Sequence, residues 1–180
     1  MRIFVPLTLA GLLLASCSSP QPEPPKPVAP PINSVVIEKV EPAPPPLVQP
    51  TGHWLDWPIA PGVWVYRRDE RGSIALFGPP NADALVTLRC DRRVGLVYLS
   101  RRGATGSTLT VRTSSTSKAV PIQSTGGIPA YVAAFLQPND PLLDAMAYSR
   151  GRIALEVPGL LNIAIPVWAE IGRIAEDCRS

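Results

Sequence analysis

The chain has one histidine, His53, and any nucleophilic triad or imidazole base would have to be built on it. It is followed by Trp54, Asp56 and Trp57 where a proline-rich stretch gives way to ordinary domain composition, a poor place to hold an imidazole rigidly. Two carboxylate pairs, Asp69-Glu70 and Glu176-Asp177, are the remaining candidates for acid–base work. The first lies in a turn flanked by arginines and the second at a helix end, so both read as solvated charges rather than a dyad. Gly-x-Ser-x-Gly is absent, and Thr125-Gly126-Gly127 precedes neither a lysine nor a helix, so it reads as a turn and not a phosphate loop. Without Cys-x-x-Cys, and with a single histidine, there is no redox dithiol and no metal set. The expectation is a non-enzymatic protein with no metal and no cofactor. The alternative of a hydrolase would have to depend on His53.

Binding chemistry is better represented. Arg67, Arg68 and Arg71 surround one turn, and Arg89, Arg92 and Arg93 another. In an up-and-down meander the turns after the first and third strands lie at the same end, which would gather all six into a basic rim. Guanidinium forks suit phosphate and carboxylate, so lipopolysaccharide, lipid headgroups or an acidic protein patch are the targets in view. Asp69, Glu70 and Asp91 interrupt the arginines, and the chain is only +3 overall, so nucleic acid is not an expected partner. The same arginines would also serve simply to solubilise and protect sheet edges. Trp54, Trp57, Trp64 and Tyr66 form a second group, suited either to stacking on the sugar rings of a glycan or to a core and its lid.

The elements that must position these residues are mainly strands. Apolar runs at 63–67, 73–77, 84–90, 94–100 and 107–112 are separated by Asp69-Glu70-Arg71-Gly72, Gly78-Pro79-Pro80-Asn81, Asp91-Arg92-Arg93 and Arg102-Gly103-Ala104-Thr105-Gly106. These read as hairpin turns, not crossovers. Further strands are expected at 118–123 and 130–136. Asn139-Asp140-Pro141 supplies an N-cap with proline in the first turn, predicting a helix over 141–149 with Leu143, Met146 and Ala147 inward and Gly151 as its stop. Ile153, Leu155 and Val157, then Leu161, Ile163 and Ile165, alternate on either side of Pro158-Gly159 and predict a last hairpin. Trp168, Ile171, Ile174, Ala175 and Cys178 recur at helical spacing and predict a terminal amphipathic helix over 167–178. The fold class expected is mainly β, an antiparallel sandwich or meander with two short helices near the C-terminus.

At the other end, Ile3 to Leu14 is apolar behind Arg2 and far short of the ~20 residues that span a bilayer, so it reads as a cleavable signal. Leu14-Ala15-Ser16-Cys17, which closes it, resembles the lipobox of bacterial lipoproteins. The resemblance implies cleavage after Ser16, a diacylglyceryl thioether on Cys17 and acylation of the new amine, giving a membrane anchor at ~0.8 kcal/mol per buried methylene. In such lipoproteins an aspartate at the next position favours inner-membrane retention. Ser18 therefore implies the outer membrane, facing the periplasm. Residues 1–16 are then signal, 17–51 a lipidated cysteine with a disordered proline-rich linker, and 52–180 a single domain. That domain is long enough to bury roughly two thirds of its unfolded surface in one core. Twelve of the chain's prolines fall in 18–51, favouring polyproline II at ~3.1 Å per residue and a reach on the order of 100 Å. Its Pro-Glu-Pro-Pro-Lys-Pro run resembles the periplasm-crossing linker of TonB proteins, as a spacer. Within the linker, residues 32–41 are β-prone and suited to adding a strand to a sheet edge, or to packing on their own domain or staying disordered.

With Cys17 assigned to lipid, Cys90 and Cys178 remain as an even pair in an oxidising space. In 84–90 a period of two places Cys90 with Val86 and Leu88, opposite Thr87 and Arg89, and helical spacing puts Cys178 on an apolar face, so both thiols point toward a core. A disulfide is expected. A strand ending Leu88-Arg89-Cys90, a short helix, a hairpin and a cysteine-ended helix together resemble small periplasmic β-sandwich proteins of the invasion-associated locus B type, and accessory lipoproteins of type VI secretion. The likeness covers about residues 84–178, implies a fold, and brings no catalytic motif. The functional expectation is an outer-membrane-anchored periplasmic lipoprotein that binds or assembles, with an envelope protein or glycan as partner. The alternative is a spacer linking outer membrane to peptidoglycan or to a secretion machine.

Overall fold

The computed structural model describes residues 49–180. Cys17, the signal boundary, the strand-prone stretch 32–41 and the linker through 48 lie outside the described residues. Among the described residues, ten strands form two antiparallel sheets. Strands β1 (Val63–Asp69), β2 (Gly72–Gly78), β3 (Val86–Asp91) and β4 (Leu96–Arg102) follow one another as a meander. The same sheet is completed by β8 (Tyr131–Leu136) beside β4 and the two-residue β7 (Gln123–Ser124) at the edge. The second sheet has the order β10 (Ile163–Pro166), β9 (Arg152–Glu156), β5 (Thr108–Arg112), β6 (Ser117–Pro121).

Alternation explains which face of each strand is buried. In β3, Val86, Leu88 and Cys90 are buried while Thr87 and Arg89 are only partly covered; in β4, Val97, Leu99 and Arg101 are the buried set. Phe77, Leu88, Leu99, Leu109, Leu155 and Ile165 fill the core between the sheets. Each such side chain contributes roughly 1.5–3 kcal/mol by leaving water.

Helix α1 (Pro141–Ala147) starts where Asp140 accepts from the Leu142 N–H at 2.9 Å, with Pro141 in the first turn. Its buried residues are Leu142, Leu143 and Met146, and Ala147, expected inward, is only partly covered. The helix ends at Tyr148, ahead of Gly151. Helix α2 (Ala169–Arg179) buries Ile171, Ile174 and Ala175 against the first sheet. Trp168, expected on that face, is instead the residue preceding the helix and is 43 % exposed, because helical geometry begins only at Ala169. The Cys90–Cys178 disulfide joins the middle of the six-stranded sheet to the last turn of α2, with Cα atoms 5.3 Å apart.

One expected hairpin is a crossover, and one expected strand is split between the sheets. After β4 the chain does not fold back but enters the second sheet, where β5 pairs with β6 and β9. Gly103 and Gly106 permit this passage: both have positive φ, and a Cβ would meet Leu160 Cδ1 at 2.3 Å and Val157 Cγ1 at 2.4 Å. The strand expected over 118–123 is divided at Pro121-Ile122. Pro121 ends β6, Ile122 is buried and donates its N–H to the Ser107 carbonyl at 3.0 Å, and Gln123 begins β7 in the other sheet. A third departure lies before β1. A single 3-10 turn, Trp54–Asp56, leads residues 57–60 across the outer face of the second sheet. There Trp57 covers Ala154 and Ala164, Ile59 bridges Ala164 in parallel, and the Ala60 N–H donates to the Ala164 carbonyl at 2.7 Å. Ala154, which alternates with the inward Ile153 and Leu155 and so falls on the opposite face with Arg152 and Glu156, is therefore fully buried.

Candidate functional site

The turn at Glu70-Arg71 joins β1 to β2, and the turn at 92–95 joins β3 to β4; they are neighbours at one end of the first sheet, linked by the Arg92 N–H donating to the Arg71 carbonyl at 2.8 Å. The structure thus brings Arg71, Arg92 and Arg93 to one end, with Arg67, Arg68 and Arg89 on the strands leading to it. Four of the six are engaged in ion pairs. Arg89 grips Asp69 with both terminal nitrogens, at 2.8 and 3.1 Å. Arg71 holds Asp91, with Nε at 2.8 Å. Arg68 reaches Asp177 at 3.0 Å, and Arg93 reaches Glu70 at 3.5 Å. Arg92 donates to the Ser180 carbonyl at 3.0 Å, and Arg67 projects from β1 into solvent.

Six guanidinium groups against four carboxylates leave an excess of only two positive charges. The pairing also lowers the carboxyls of Asp69, Asp91 and Asp177. Hydrogen bonds from Arg89 lower the Asp69 carboxyl to about 2, and Arg71 holds Asp91 below the ordinary carboxylate range despite its burial. Burial alone would raise Asp177, but hydrogen bonds from Tyr66 at 2.5 Å and from Arg68 outweigh it and keep it low. A recess of about 220 Å³ remains among Arg68, Arg71, Ser73, Arg92 and Asp177.

The aromatic residues are not one surface. Trp57 lies under the second sheet's outer face with Trp54 packed beside it. Trp64 is buried between the layers, 5.3 Å from Phe77 ring to ring, and its indole donates to the Pro166 carbonyl at 3.0 Å. Tyr66 carries the Arg173 guanidinium over its ring at 3.8 Å. A sugar ring could not lie across all four. His53 caps the 3-10 turn, its Nδ1 accepting from the Leu55 N–H at 3.3 Å.

Arg101 was not among the expected site residues. It stands in phase with Val97 and Leu99 on the core side of β4, and is 4 % exposed. One guanidinium nitrogen donates to the Leu161 carbonyl, and among the described residues Nη1 has no hydrogen-bond partner. Among the described residues Arg101 forms no ion pair, and burial pushes it down to about 10, so that it remains charged at neutral pH. The signal was period two: continuing Val97, Leu99 by one more step marks Arg101 as inward, but the expected strand ended at Ser100. Among the described residues no group of three His, Cys, Asp or Glu is placed to hold a metal ion, and no helix is long and apolar enough to cross a membrane.

No protein-family model, no curated protein and no solved structure matches this chain.

Proposed function

We propose that this protein is a lipoprotein of the bacterial cell envelope, anchored through Cys17 in the outer membrane and facing the periplasm, whose mature domain is a non-enzymatic binding or assembly module. The Cys90–Cys178 disulfide carries the reading, because a structural disulfide suits an oxidising compartment and reaching one requires export. The apolar segment ending in Leu14-Ala15-Ser16-Cys17 supports export and lipid attachment together. The arginine-paired end of the first sheet supports binding over catalysis: its carboxylates are held ionised by fixed partners, which suits them to shaping a surface and not to exchanging protons near neutral pH.

The test is metabolic labelling with a palmitate analogue, followed by crosslinking in intact cells. Wild-type protein should carry label and capture a discrete envelope partner, while Cys17→Ser should lose the label. Absence of label from the wild type, or free thiol at Cys90 in the native protein, contradicts the reading. Capture that survives neutralisation of Arg67, Arg92 and Arg93 but fails when residues 18–48 are shortened would transfer the role from binding module to spacer.

A further inference from the structure

We propose that the cavity beside Arg101 is a binding site for an anionic amphiphile, in which the guanidinium receives a carboxylate or phosphate headgroup and the surrounding leucines receive a short acyl chain. The inference goes beyond the envelope reading and holds whether or not Cys17 is acylated.

Arg101 sits near the end of β4, and Leu161 of the β9–β10 turn lies against it. Its neighbour Arg102 also lines the cavity and has its own carboxylate, Asp83, at 3.7 Å. Arg101 has none, and its burial is nearly complete. A guanidinium cannot shed its proton to escape a dry site, since even the lowered value leaves it charged at neutral pH. A buried cation is ordinarily matched by an anion, and a buried N–H by an acceptor. Here the Leu161 carbonyl satisfies one nitrogen, and among the described residues Nη1 is left without a partner. A carboxylate or phosphate oxygen seated in the cavity that Arg101 lines would supply the missing counter-charge.

The shape selects the rest of the ligand. The cavity measures about 440 Å³, within the range of roughly 300–1,000 Å³ common for small-molecule sites. Apart from the two arginines its walls are Leu85, Leu160, Leu161, Ile163 and the backbone at Gly159. A hydrated inorganic ion would leave those walls wet, whereas an acyl chain covers them. A purely structural tie to the Leu161 carbonyl would need a single donor, and it gives no account of a charged fork with one nitrogen idle.

The experiment uses exported full-length protein carrying Cys17→Ser, purified without detergent and with its disulfide intact. It is titrated calorimetrically with octanoate, octyl phosphate and the uncharged 1-octanol. One or both anions should saturate at one per chain, the tighter of the two identifying the headgroup, and octanol should bind at least tenfold more weakly. Arg101→Gln should lower anion affinity at least tenfold and erase the preference over octanol. Because Arg101→Gln also alters the tie to Leu161, a second variant, Leu85→Trp, fills the cavity while keeping the guanidinium, and it too should lose the anion. The proposal is overturned if neither anion saturates, if octanol binds as tightly, or if either folded variant binds like the parent.

Discussion

Asp69 and Arg89 illustrate how single residues at the turn end of the first sheet set its response to acid. An ordinary aspartate titrates near ~3.9, whereas Asp69 is lowered to about 2 by the Arg89 hydrogen bonds. A carboxyl lowered on folding contributes stability that is complete above about pH 4 and disappears as pH falls toward about 2. Asp69→Asn should therefore be less stable than wild type at pH 7, with the difference closing across that window. Urea denaturation at a series of pH values measures it, and parallel profiles for the two proteins would show that the pair contributes nothing. Asp91 and Asp177 are lowered too, so the wild-type profile will slope even where Asp69 is neutral. At this scale the six arginines and their interleaved acids were legible in the sequence, but the pairing was not. Partners such as Arg68 and Asp177, or Arg92 and the Ser180 carbonyl, are brought together only by the packing of α2 on the sheet.

Among elements, α2 depends most on a long-range link. Its apolar face packs on the first sheet, and Cys178 fastens its last turn to β3. Cys90→Ser and Cys178→Ser should lower stability by similar amounts, up to ~4–5 kcal/mol, and the double variant should be no worse than either, as for two thiols sharing one bond. Chemical denaturation of the three variants checks this; strongly unequal losses would mean that one sulfur matters for packing more than for the bond. The meander β1–β4, the β9–β10 hairpin and both helices were legible, because alternation, an Asp-Pro cap and helical spacing are local signals. The passages after β4 and after Pro121 were not. A glycine-bearing turn looks alike in sequence whether the next strand joins the same sheet or the facing one; the choice is made by Leu160 and Val157, which lie against Gly103 and Gly106 from far along the chain. The burial of Ala154 was not legible for the same reason: its cover, Trp57, comes from nearly a hundred residues away.

At the scale of the whole molecule, α2 joins the core on the inward face of the first sheet, beside Leu88 and Cys90, while residues 54–60 cover the outer face of the second. Trp57→Ala should cost about 2–4 kcal/mol, since a large buried ring is lost from a site that water can partly refill. Hydrogen exchange should then quicken at the Ala60 amide and along β9–β10 while β2–β4 keep their protection; unchanged exchange in β9–β10 would mean that the segment rests on the sheet without securing it. The disulfide has a separate consequence for a chain pulled by its ends. Force applied between residue 49 and residue 180 bypasses everything enclosed between Cys90 and Cys178, because the load crosses directly through the sulfur bridge. Only residues 49–90 and the last three can be drawn out, on the order of 150 Å at ~3.4 Å per residue. The domain is thus a mechanical fuse of fixed travel: β1, β2 and β3 can yield, while β4 to β10 and α1 remain slack inside a covalent loop.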